Sequence, residues 1–149
     1  MRFVFVVTNL AGGGAEKAVG KLAAGLADKG HDVELVLLEE RVEHARPQGV
    51  KVSALTKTAS KGWLGKRRLA HRLSRHLSVP WNLLVSTLPF ADEVTALAKL
   101  PRHWCRIANT LSSEVGRLAA EHPAKAPRRL ARYRRLYGKR PLIAGSNGV

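Results

Sequence analysis

A strand–loop–helix–strand pattern at the N-terminus constrains the fold more than any other feature of the chain. Residues 3–8 form a short apolar run rich in β-branched residues, which predicts a strand covered on both faces. A glycine-rich loop, residues 9–14, follows, and apolar residues then recur at helical spacing as far as Ala27. Gly30 is placed to end this helix, and residues 33–38 predict a second buried strand. The pattern is that of a βαβ unit with parallel strands.

The rest of the chain continues this alternation. Further strands are predicted over residues 50–55, 83–87, 104–108 and 142–144. Helices are predicted over residues 66–78, 91–99, 112–121 and 127–137, with a loop over 56–65 and an N-cap at Ser112 or Ser113. The chain of 149 residues suits one domain. The predicted fold class is therefore α/β: a Rossmann-like, doubly wound, mainly parallel sheet in a three-layer α/β/α domain.

Charge is the outlying property of the composition. The formal net charge is +15 and the isoelectric point is about 11.1, which favours an acidic partner. Two predicted basic helices carry much of this excess and offer a surface for an acidic acceptor or an anionic membrane. The residues chosen for this surface are Lys66, Arg67, Arg68, Arg72, Arg128, Arg129 and Arg132. Charge alone would serve nucleic acid equally well.

Cysteine and apolar content indicate where the chain resides. The single cysteine, Cys105, excludes an intrachain disulfide and is compatible with the cytoplasm. No apolar run approaches the roughly 18–20 residues needed to cross a bilayer. None of the histidines falls in a zinc-binding spacing, and no metal site is predicted. The expected location is the cytoplasm, with peripheral association at the inner face of the membrane.

The loop Gly12, Gly13 and Gly14 is the strongest functional signal. Backbone amides at a helix N-terminus carry partial positive charge, and glycine lets a phosphate approach them closely. The dinucleotide fingerprint fails because Lys17 stands where the third glycine belongs, although Glu39 lies where a ribose-binding acid would. The Walker pattern fails at several positions. The alternative without a ligand is a flexible strand–helix turn.

Polar residues follow three of the predicted strands. Ligands of open α/β sheets bind beyond the carboxyl ends of the strands, so Asp92 is placed to orient or deprotonate an acceptor hydroxyl. Glu16, Asn109 and Glu114 are candidates for polar contacts in the same cleft. Each also has a purely local explanation, as an acid in the first turn of a helix or as a capping residue.

Two segments at the ends of the chain resemble a known family. Residues 11–16 (AGGGAE) and 30–35 (GHDVEL) are similar to the opening of the family 4 retaining glycosyltransferases. Residues 142–149 (LIAGSNGV) are similar to the stretch that closes the N-terminal domain of that family. The family has the GT-B architecture, with two Rossmann-like domains facing a cleft. The resemblance implies that residues 1–149 are the acceptor-side domain, with the C-terminal donor-binding domain absent from this chain.

The resemblance also implies an activity. The full-length enzyme is expected to transfer a sugar from a nucleotide-sugar to a hydroxyl of a glycan or glycolipid, in cell-envelope polysaccharide or lipopolysaccharide synthesis. Gly13 and Gly14 match the loop that meets the donor diphosphate, and Asp92 resembles an acidic residue near the reacting sugar. No cofactor is implied, the nucleotide-sugar is a co-substrate, and the isolated domain is expected to be inactive. The alternatives are a nucleotide-binding module of an oxidoreductase and, less favoured, a basic nucleic-acid-binding domain.

Overall fold

The structure is a computed structural model that describes residues 1–145, and it confirms the predicted alternation of strands and helices. The elements are β1 (Arg2–Val7), α1 (Gly14–Asp28), β2 (Asp32–Leu37), β3 (Lys51–Ala54), α2 (Trp63–His76), β4 (Leu83–Thr87), α3 (Pro89–Leu97), β5 (His103–Ile107), α4 (Leu111–Glu121), α5 (Ala126–Tyr137) and β6 (Leu142–Ala144). Residues 146–149, on which part of the family resemblance depends, lie outside the described residues.

All six strands form one parallel sheet, in the order β3-β2-β1-β4-β5-β6. The chain builds the sheet outward from β1 to β3, returns to the other side of β1, and then continues outward from β4 to β6. The direction of strand order therefore reverses between β1 and β4. In doubly wound sheets this reversal opens a crevice at the carboxyl ends of the two strands, where ligands bind.

Helices cover both faces of the sheet, so the predicted three-layer α/β/α architecture is confirmed. Successive side chains of a strand point to opposite faces of the sheet, so the residues of β1 pack into a separate core on each side. Val4 packs with Leu73 of α2 and with α3 in one core. Phe5 packs with Val19 of α1 in the other core. Cys105 is the register partner of Ser86 in β4, so its side chain lies on the face of the sheet that α2 and α3 cover. Cys105 packs against α5, which therefore covers the same face.

The helix ends follow the sequence prediction at α1 but not at α2, α3 or α4; α3, predicted over residues 91–99, spans Pro89–Leu97 with the proline in its first turn. Gly30 has a φ of +83° and its amide donates to the carbonyl of Ala27, so it ends α1 as predicted. The helix predicted from residue 66 begins at Trp63. The prediction missed this first turn because Trp63 and Leu64 are exposed and do not extend the apolar stripe of the helix. The capping role of Ser112 or Ser113 is wrong: α4 begins earlier, with Thr110 in extended conformation before it.

A buried carboxylate ties three strands to the end of α2. Glu34 on β2 is 2% exposed, and its oxygens accept hydrogen bonds from Arg2 Nη2 at 3.0 Å and Ser53 Oγ at 3.1 Å. His76 Nε2 lies 2.8 Å from Glu34 Oε1, and Lys51 Nζ lies 3.4 Å from the same atom. Burial raises the pKa of Glu34, but the hydrogen bond to His76 and the charge of Lys51 outweigh it and lower the pKa. The carboxylate is therefore held ionised within the sheet.

We expect Glu34→Ala to lower the free energy of unfolding by about 2–3 kcal/mol, because it leaves the half-buried guanidinium of Arg2 without its nearest carboxylate. Urea denaturation followed by circular dichroism measures this loss. Glu43→Ala is the matched control, since it removes a carboxylate from an exposed pair with Arg41 and should cost less than about 0.5 kcal/mol. Equal losses in the two variants would show that Glu34 does not fasten α2 to the sheet.

Candidate functional site

The loop that follows β1 is held by the segment after β2. Asn9 Oδ1 accepts a hydrogen bond from the amide of Ala11 at 3.0 Å, and Asn9 Nδ2 donates to Glu39 Oε1 at 2.7 Å. The other oxygen of Glu39 accepts from the amide of Ala59 at 3.0 Å. Leu10 forms an isolated parallel bridge with Val42. Glu39 therefore braces the loop, instead of presenting a free carboxylate to a ribose.

The glycines beyond this braced part turn their backbone toward solvent. Gly13 and Gly14 are exposed, and a side chain at either position would meet no other atom within 4 Å. Gly13 occupies the N-cap position of α1 without a side-chain cap, and no hydrogen bond of the Gly13 or Gly14 amide is formed within residues 1–145. The N-terminus of a helix of 15 residues is thus exposed at the carboxyl end of β1. Such a terminus attracts anions.

Glu16 and Gly12 fit against each other at the base of this loop. Glu16 is buried, and its carboxylate fills the space that a side chain on Gly12 would occupy. The carbonyl of Gly12 lies 2.7 Å from His44 Nε2. Gly12 is therefore required for close packing, and the two glycines after it are the ones available to a ligand.

The end of β4, the neighbouring strand, adds two further features. Leu88 has φ 75° and ψ 146°, a conformation that a bulky L residue rarely adopts and that is found most often at functional sites. Thr87 is 1% exposed, and its hydroxyl has no hydrogen-bond partner in the described part of the chain. A strained turn and an unsatisfied hydroxyl thus stand beside the strand that leads into the glycine loop.

Arg106 on β5 is the register partner of Thr87, and sequence reasoning missed both. The guanidinium of Arg106 is half-buried, and its Nη1 is buried without a hydrogen-bond partner among residues 1–145. An arginine inside a buried strand was the available signal, because arginine is almost never buried without a partner. The amides of Gly13 and Gly14, the hydroxyl of Thr87 and the guanidinium of Arg106 therefore lie at the carboxyl end of the sheet, across β1, β4 and β5. Together these groups form the polar edge.

Asp92, the predicted catalytic residue, lies in a buried polar network under α3. It is 0% exposed; its Oδ1 accepts from Ser86 Oγ at 2.5 Å and its Oδ2 accepts from the Tyr137 hydroxyl at 2.6 Å. His103 Nε2 lies 2.7 Å from Ser86 Oγ and completes the chain of contacts. Burial raises the pKa of Asp92 to about 6, against the lowering effect of the two hydroxyl groups.

Cys105 joins the same network and brings three metal-ligating residue types together. The ligand atoms of Asp92, His103 and Cys105 all lie within 4.8 Å of one another. Burial raises the pKa of Cys105 to about 12, so the group is a thiol and not the thiolate that binds metals. Ser86 also contacts all three side chains. Hydrogen bonding within the protein accounts for the arrangement.

The structure brings some of the predicted cleft residues together and separates others. Asp92, Asn109 and Glu114 line one narrow crevice at the carboxyl ends of β4 and β5, together with Arg106. Glu114 accepts hydrogen bonds from Arg129 Nη1 at 3.0 Å and from the Tyr133 hydroxyl at 2.7 Å, and Asn109 is exposed. Glu16 lies apart from the crevice, against the glycine loop.

The predicted basic surface divides into paired and exposed residues. Lys66 and Arg132 both bind Glu93, and Arg129 binds Glu114. The exposed members are Arg67, Arg68, Arg72 and Arg128. The guanidinium of Arg67 stacks over the ring of Trp63, 5.1 Å from its centroid.

No protein-family model and no curated protein matches the sequence. The strand order and the polar edge define a Rossmann-like α/β domain with a candidate anion site at the point where strand order reverses. Among residues 1–145, no helix combines the length and apolar character that crossing a bilayer requires.

The network predicts two opposite pH dependences of stability. The pKa of Asp92 is raised from 3.8 to about 6, so its contribution is lost as pH rises from about 4 to about 6. The pKa of His103 is lowered from 6.5 to about 4 by burial and by the charge of Arg140, so its contribution is lost as pH falls over the same range. In the unmodified chain these two slopes oppose each other.

We therefore expect Asp92→Asn to make stability rise between pH 4 and 6.5, and His103→Gln to make it fall, each by about 3 kcal/mol relative to the unmodified chain. Urea denaturation at a series of pH values measures both slopes. If both variants keep the slope of the unmodified chain, the buried network does not control the titration of these two groups.

Proposed function

We propose that the chain is the N-terminal, acceptor-side domain of a retaining GT-B glycosyltransferase, which transfers a sugar from a nucleotide-sugar to a hydroxyl of a glycan or glycolipid. The observation that carries this proposal is the exposed glycine loop at the carboxyl end of β1, where strand order reverses. Diphosphates bind at such positions in doubly wound sheets. The resemblance of residues 11–16 and 30–35 to family 4 enzymes gives the proposal its reaction.

In this proposal the polar edge stabilises the departing nucleoside diphosphate. The amides of Gly13 and Gly14 meet the diphosphate, and preformed hydrogen-bond donors of this kind stabilise the negative charge that develops on a leaving group. Asp92 remains our candidate for the acid–base residue, because a pKa of about 6 is close to the pH at which proton transfer is efficient. Ser86 and Tyr137 hold its carboxylate at the crevice.

The acceptor and the location follow from charge. With a net charge of +15, the domain suits a phosphorylated, lipid-linked acceptor in cell-envelope polysaccharide or lipopolysaccharide synthesis. Exposed arginines on α2 and α5, among them Arg67 and Arg128, favour peripheral association with the cytoplasmic face of an anionic membrane.

The oxidoreductase alternative has less support. Lys17 occupies the position of the third fingerprint glycine, and both oxygens of Glu39 are bonded within the protein. Nucleic-acid binding does not explain the exposed glycine loop or the strained turn at Leu88.

The test is nucleoside diphosphate release from UDP-, GDP- and ADP-sugars by the full-length gene product, with membrane lipid as acceptor source. We expect Gly14→Ala to lower kcat/KM about tenfold or more, because a methyl group keeps the phosphate from a charge-assisted hydrogen bond. The space around Gly14 is open, so the fold should be unaffected.

Gly25→Ala is the matched control, because Gly25 also lies in α1 with open space around it, away from the loop. It should leave kcat/KM unchanged. Failure of every nucleotide-sugar to react, or equal rates for the two alanine variants, would contradict the proposed function.

A further inference from the structure

A second concavity, with a lining that is partly apolar and partly charged, lies in the opposite helix layer from α1. Helices α2, α3 and α5 border an open groove of about 520 Å³. Its charged lining consists of Lys66, Glu93, Lys99, Arg132, Arg135 and Arg140. Five cations and one acid thus face the same space. The size falls within the range of roughly 300–1,000 Å³ that is typical of ligand sites.

The single acid neutralises only part of this charge. Glu93 forms ion pairs with Lys66 and Arg132, which bridge from α2 to α5 across α3. Lys99, Arg135 and Arg140 have no ion-pair partner among residues 1–145. Lys99 follows α3, Arg135 lies in α5 and Arg140 follows α5, so three positive groups line one groove without a compensating anion among residues 1–145.

We propose that this groove binds a phosphate or diphosphate group. Guanidinium groups match the geometry of phosphate oxygens and bind them through paired, charge-assisted hydrogen bonds. Trp63 lines the groove and is 66% exposed, so its ring can pack against the part of the ligand that is attached to the phosphate. The proposal does not rest on the glycosyltransferase function, because the glycine loop belongs to α1 on the other side of the sheet.

Glu93 sets the affinity by competing with the ligand. Its carboxylate pairs with two of the five cations. A phosphate that enters the groove can therefore form ion pairs only with the other three. Neutralising this acid frees Lys66 and Arg132 for the ligand. The proposal therefore predicts changes of opposite sign when a cation or the acid of the same groove is removed.

Calorimetric titration of the full chain with inorganic pyrophosphate, at about 0.15 M salt to screen diffuse attraction, tests the site. We expect Arg135→Gln to weaken binding about tenfold, through loss of one charge-assisted hydrogen bond. Glu93→Gln should strengthen it. Arg134→Gln is the matched control: Arg134 is an exposed arginine of α5 that does not line the groove, and its loss should change affinity less than twofold.

Vesicles distinguish the two sources of phosphate. Sedimentation with phosphatidic acid vesicles that is lost in Arg135→Gln but kept in Arg134→Gln assigns the groove to a lipid headgroup. Pyrophosphate binding with the same pattern, without sedimentation, assigns it to a soluble ligand, and either result supports the site. Equal behaviour of the two arginine variants, or no binding of either probe by the unmodified chain, would overturn the proposal.

Discussion

The first strand lies between β2 and β4, and every other element is placed relative to it. Its alternate side chains start two separate cores, with Val4 and Val6 on one side and Phe5 and Val7 on the other. A strand that is buried on both faces must lie in the interior of a sheet with helices on each side. Because the chain then builds outward from β1 in one direction and from β4 in the other, the reversal of strand order falls directly beside it.

This placement separates two kinds of polar group at the carboxyl end of the sheet. The network of Asp92, Ser86, His103 and Tyr137 is satisfied internally and joins α3 and α5 to the strands. The amides of Gly13 and Gly14 and the hydroxyl of Thr87 lack such partners within residues 1–145. A buried hydroxyl without a partner, such as that of Thr87, costs free energy. The exposed amides of Gly13 and Gly14 are solvated and open to a ligand. We therefore propose that the unsatisfied donors bind the phosphate groups of a ligand. The satisfied network supports the fold and holds Asp92, the proposed acid–base residue, at the crevice.

The sequence predicted most of the elements, because continuous apolar runs and helical periodicity are local signals. The order of the strands was not encoded locally, since it depends on which helix packs across which face. The contact of Ser86 with His103 was invisible for the same reason: the two residues lie 17 positions apart on neighbouring strands. Residue type and spacing do not separate Gly12 from Gly13 and Gly14, which only the family resemblance singles out. Packing against Glu16 is the structural feature that separates Gly12 from the other two.

The proposed function requires the glycine loop after β1 to bind the phosphate groups of a nucleotide. Amide-resolved nuclear magnetic resonance, with UDP, GDP and ADP added in turn to millimolar concentration, tests it most directly. We expect saturable shifts of the amides of Gly13, Gly14 and Ala15, with little change in the edge strand β3. Shifts confined to other regions, or none with any of the three nucleotides, would contradict it.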